Sequence, residues 1–82
     1  MEKMVKIKLL AYEPVDFESK LRVLENSIDF GDVDFATDMA QTLAYELGLT
    51  PRNKPLLFSL SNAEFCVGII KIARKVLIAS NL

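Results

Sequence analysis

Histidine is absent from this chain, cysteine occurs once, and glycine and proline occur three times each. Without an imidazole there is no Ser-His or Cys-His nucleophile pair and no histidine general base, which leaves carboxylate, lysine or tyrosine chemistry and makes an enzyme the disfavoured reading. A lone cysteine, Cys66, cannot form an intramolecular disulfide, and with no histidine beside it the usual zinc sites are excluded as well. Cys66 falls on an apolar helical face, where a small buried hydrophobe is expected rather than a reactive thiolate. No catalytic residue, metal ligand or cofactor site is therefore expected.

Long apolar runs are also missing. No window approaches the roughly 20 uninterrupted apolar residues of a membrane span, because Gly68, Lys71, Arg74 and Lys75 break the longest candidates. At the N-terminus, MEKMVKIKLLAYEP interleaves lysines with its apolar residues and offers neither a continuous apolar core nor a small-residue cleavage site, so it does not read as a signal peptide. A cytoplasmic location is the resulting expectation.

What is present points to one small domain. The 82 residues lie near the lower limit at which one apolar core suffices, while 51% of them are hydrophobic, slightly more than is usual for a soluble domain. The net charge of −1 conceals an uneven distribution. Lys3, Lys6 and Lys8 outnumber Glu2 at the start. Residues 11–49 carry nine acids against Lys20 and Arg22, and residues 50–82 carry five bases against Glu64. An acidic middle between basic ends suits complementarity within a fold or between copies of it.

Periodicity gives an order of elements. Val5, Ile7 and Leu9 alternate with Lys6 and Lys8, which predicts a strand within residues 4–10, ended by Pro14. Phe17, Leu21, Leu24 and Ile28 recur at helical spacing behind Asp16, predicting a helix over 16–27 with Asp16 as its N-cap. Phe35, Ala36, Met39, Ala40, Leu43 and Leu47 predict a second helix over 33–47, stopped by Gly48 with Leu49 covering the last turn. GLTPRNKP is a connection, and 56–60 reads as a short strand because proline is tolerated at a strand's first position. Ser61 and Glu64 are spaced as a capping box, with Leu60 and Phe65 at the positions of a hydrophobic staple, so a last helix begins at Ser61. The predicted fold class is α+β, strand-helix-helix-strand-helix with a long apolar C-terminal helix; an all-α bundle is the close alternative.

Two constellations invite a chemical reading. DFGDVDFATD gathers Asp29, Asp32, Asp34 and Asp38 around Gly31, and carboxylates suit calcium or magnesium. The calcium-loop pattern fails in both registers, since one start puts Gly31 and Val33 at ligand positions and the other puts Leu43 where a bidentate Glu belongs. Acids before and within a first helical turn are explained by capping and by the helix dipole. Residues 35–58 resemble a degenerate helix-turn-helix through Ala44, Gly48 and the leucines around them, but Pro55 interrupts the would-be recognition helix and only Arg52 and Lys54 could reach DNA from it. A DNA-binding regulator is accordingly the alternative function, and nucleic acid is not the expected partner.

The last helix carries the functional expectation. Turned at about 100° per residue, its apolar positions fill well over the stripe of ~100° that a surface helix needs, with Val67 and Ile78 intruding on the polar side. Either it lies centrally in the monomer or one flank is left for a partner. The second option predicts a small protein-interaction or regulatory module that self-associates as a dimer; a heterologous protein partner also fits. Ile69, Ile72 and Val76 are expected to face the partner, with Lys71, Arg74 and Lys75 at the rim, while Phe65, Cys66, Ile70, Ala73 and Leu77 face the core.

Overall fold

Pro14 opens the first helix, because its ring fixes φ near the helical value and its missing N–H is one the first turn leaves unbonded anyway. In a computed structural model that describes residues 14–80, this helix, α1 (Pro14–Phe30), is followed by α2 (Val33–Glu46), a single-turn α3 (Pro55–Phe58) and α4 (Asn62–Ser80). Asp16 is therefore a first-turn acid that offsets the helix dipole rather than the N-cap. Phe17, Leu21 and Leu24 are buried as their spacing requires, and Ile28 packs partly buried beside them.

The α1 helix runs three residues beyond the expected end because Gly31 stops it. At φ +82 this glycine adopts the left-handed conformation that side chains resist, and its N–H donates to the Ile28 carbonyl at 3.0 Å. The next N–H, of Asp32, donates to Ser27 at 2.9 Å, which completes a Schellman stop. Asp32 then serves a second time as the N-cap of α2, its carboxylate accepting from the Phe35 N–H at 3.2 Å. Two residues thus end one helix and start the next, which makes α1 and α2 a tight antiparallel hairpin.

The far end of α2 repeats the device. Gly48 sits at φ +75 and its N–H reaches Tyr45, while that of Leu49 reaches Ala44 at 2.9 Å. On its inner face α2 buries Ala36, Ala40, Leu43 and Ala44. Three of the four are alanines, which lets the neighbouring helices approach closely around Leu43. Lys20 of α1 ties the open end of the hairpin by pairing with Glu46 and, at 3.1 Å, with Asp16.

The fold class is all-helical rather than α+β: the described residues contain no strand. Residues 56–60, expected to be a strand, form α3 and the turn after it. Pro55 occupies the first helical position there, and with no strand beside it among the described residues the segment satisfies its own backbone, Ser59 and Leu60 donating to Leu56 and Leu57. The other expected strand, within residues 4–10, lies outside the described residues.

The capping box at Ser61 forms as spaced. The Ser61 hydroxyl accepts from the Glu64 N–H at 3.4 Å and donates to the Glu64 carboxylate at 2.9 Å, and that carboxylate also accepts from the Ser61 N–H. From this start α4 packs against α1, α2 and α3. Phe65, Cys66, Ile69, Ile70 and Ala73 are its buried face. Phe65 meets Phe58 of α3 with ring centroids 5.1 Å apart in a tilted arrangement. At Gly68 α3 approaches α4 closely, since a Cβ there would come within 2.9 Å of Leu57 Cδ1. The wide apolar arc of α4 is thus covered chiefly by two helices, with the α3 turn closing a third side.

Candidate functional site

Ile69, expected to face a partner, is fully buried in the monomer core, and Ile72 and Val76 are half-buried on the same side of α4. The cause is the position of α1 and α2, which both pack on this flank, so Val76 joins the core cluster rather than standing clear of it. The three basic residues are all exposed. Arg74 is engaged within the monomer, its Nε donating to the Glu25 carboxylate of α1 at 2.8 Å. Lys71 and Lys75 pair with no carboxylate among the described residues.

The outward face of α4 has a different composition from the one anticipated. Ala63, Val67, Lys71, Arg74 and Ile78, spaced by four and three residues, fall within roughly a quarter of the helix circumference and are all exposed. Val67 keeps 43% of its surface accessible and Ile78 64%. Beside the N-terminal half of this stripe lies a groove of about 370 Å³ lined by Leu60, Ala63, Glu64, Val67, Gly68 and Lys71. The side chain of Leu56, 82% exposed, projects from the adjacent α3 turn. Gly68 contributes to the groove twice, by admitting α3 and by presenting no side chain of its own.

A second exposed apolar feature lies at the α1–α2 corner. Phe30 is 89% exposed and Phe35 48%, and Asp29, Asp32, Asp34 and Asp38 around them are all exposed too. Among these acids Asp32 is committed to its N-cap and Asp34 to the first turn of α2, while among the described residues no three His, Cys, Asp or Glu side chains converge as ligands for a metal. The exposure of Phe30 was available from spacing: it falls off the row of Phe17, Leu21, Leu24 and Ile28. That of Phe35 was not, since it shares the apolar side of α2 with Ala36 and Met39.

The helix-turn-helix resemblance ends at the turn. Thr50 and Asn53 bond each other reciprocally, side chain to backbone, at 2.9 and 3.2 Å, and Asn53 also donates to the Gly48 carbonyl. Arg52 and Lys54 lie within this locked turn, and the helix beyond them has four residues, too short to lie along a major groove. Cys66 is buried against Thr37, whose hydroxyl stands 3.7 Å from its sulfur. Another depression, about 290 Å³ on the outer side of α1, is lined by that helix alone and bridged by the Arg22–Glu18 pair at 2.9 Å.

No helix among the described residues is long and apolar enough to cross a membrane. No protein-family model, curated protein or solved structure matches the chain.

Proposed function

We propose that this chain is a small protein-interaction module that associates with a second copy of itself through the outward stripe of α4. The carrying observation is that the helix, after giving one face to α1, α2 and α3, still presents Val67 and Ile78 among bases on its solvent side, next to an apolar groove flanked by exposed Leu56 and Leu60. Along this face Lys71 and Arg74 stand between the two apolar side chains, and their long apolar stems can be buried with Val67 and Ile78 while the charged ends stay wet. The bases on this face fit an acidic counterpart, and the chain's own surface supplies one.

Sedimentation across about a hundredfold dilution tests this by mass action. The expected mass approaches twice the 9.2 kDa of one chain and falls on dilution. Val67→Glu with Ile78→Glu should abolish association without unfolding the protein, because both side chains already meet solvent. A wild type that remains at 9.2 kDa at the highest concentration would refute the proposal.

A further inference from the structure

We propose that the surface receiving the α4 stripe is the α1–α2 corner of the second copy, with Phe30 and Phe35 seated against Val67 and Ile78. This rests on the self-association proposed above and goes further by naming the face opposite. Phe30 is almost wholly exposed at the end of α1, and Phe35, the corner's other phenylalanine, stands half in solvent one helix start away. Two such aromatics around one turn are the rigid anchors that recognition surfaces use, and they stand beside Asp29, Asp34 and Asp38, which hold no ion pair among the described residues.

Charge decides between the available faces. If the stripe met its own copy, Lys71, Arg74 and Lys75 would be brought against the same three bases. Against the corner, the unpaired Lys71 and Lys75 meet Asp29, Asp34 and Asp38, of which none holds an ion pair among the described residues. Opposite signs across the contact favour encounter and fix register. Each copy carries both surfaces, so a reciprocal arrangement about a two-fold axis buries stripe and corner twice and closes at two chains.

The test is a charge exchange on the full chain. One variant carries Asp29→Lys and Asp38→Lys, which spare the capping Asp32 and the first-turn Asp34; the other carries Lys71→Glu and Lys75→Glu. Circular dichroism and thermal melts establish that both fold. Each alone should be monomeric in sedimentation, and an equimolar mixture should recover a mass of about twice 9.2 kDa, because corner and stripe then differ in sign at both contacts. An uncharged variant, Phe30→Ala, should weaken the wild-type dimer by about tenfold or more.

If the corner variant associates as tightly as wild type, or the mixture of folded variants stays monomeric, the corner is not the receptor, although self-association stands. If wild type itself is monomeric, both proposals fall. Species that keep growing with concentration would overturn the reciprocal closure.

Discussion

Replacing Ile69 by alanine asks whether the middle of α4 belongs to one chain's core or to a contact between chains. The side chain is fully buried within the monomer, so the change removes three carbons from a packed site. At about 0.8 kcal/mol per methylene the transfer loss alone is roughly 2.5 kcal/mol. The neighbours cannot close the gap cheaply: Ile69 lies between Phe65, Cys66 and Ala73 on its own helix and the α1 and α2 faces opposite. A cavity contribution then brings the total to about 3 to 4 kcal/mol, within the usual range for this substitution. For a domain of this size that is a large part of the stability and lowers Tm by roughly 15 to 25 °C. Urea unfolding followed by circular dichroism, at two concentrations about a hundredfold apart, separates the possibilities. A core residue destabilises the fold itself, so the loss relative to wild type is the same at both concentrations. A loss below about 1 kcal/mol, or one that appears as dissociation of an otherwise intact fold, would refute the placement of Ile69.

Other consequences concern the devices that set the helix ends and the α1–α2 pairing. Ser61→Ala removes the acceptor for the Glu64 N–H and should cost about 0.5 to 2 kcal/mol in thermal or urea unfolding, with Ser61→Asn retaining most of it. Gly48→Ala forces a side chain into the left-handed conformation at φ +75; open space around the site leaves backbone strain as the cost, about 1 to 2 kcal/mol by the same assay. Lys20 is held protonated above its ordinary value, first by its hydrogen bond to Glu46 and then by that to Asp16. A raised folded value means the contribution is complete below the unfolded lysine pKa of about 10.4 and disappears as pH rises through the higher folded one. Lys20→Met should therefore flatten the decline of stability above about pH 10.4, and an unchanged alkaline slope would contradict the pairing.

How much of this was legible in the sequence differs by element. The boundaries of α2 and the start of α4 are written in local chemistry: Gly48 admits the left-handed stop and Ser61 with Glu64 closes a reciprocal pair of hydrogen bonds, so neither needs a distant neighbour. The α1 row was equally plain, yet its end depended on recognising Gly31 as a stop rather than as part of an acidic loop. PLLF was not legible, because a short apolar run after a proline suits a strand or a helical turn, and the choice is made by what packs beside it. For α4, apolar residues on most of the circumference leave the inward row undetermined until the positions of α1 and α2 are known. Gly68 held the missing hint: a glycine inside a helix marks a close approach, and Leu57 of α3 is what approaches. Val67 and Ile78, which break the polar side in the sequence, are the residues that remain exposed in the fold.

The central claim, that copies of this chain meet through the outward stripe of α4, is tested most directly by recording backbone amide resonances of the labelled protein across about a hundredfold dilution. The account predicts concentration-dependent shifts that trace Ala63, Val67, Lys71, Arg74 and Ile78 along one face, with the amide of buried Ile69 far less affected. Resonances that stay fixed throughout the dilution, together with the tumbling rate of a 9.2 kDa particle, would show a solitary monomer and contradict it.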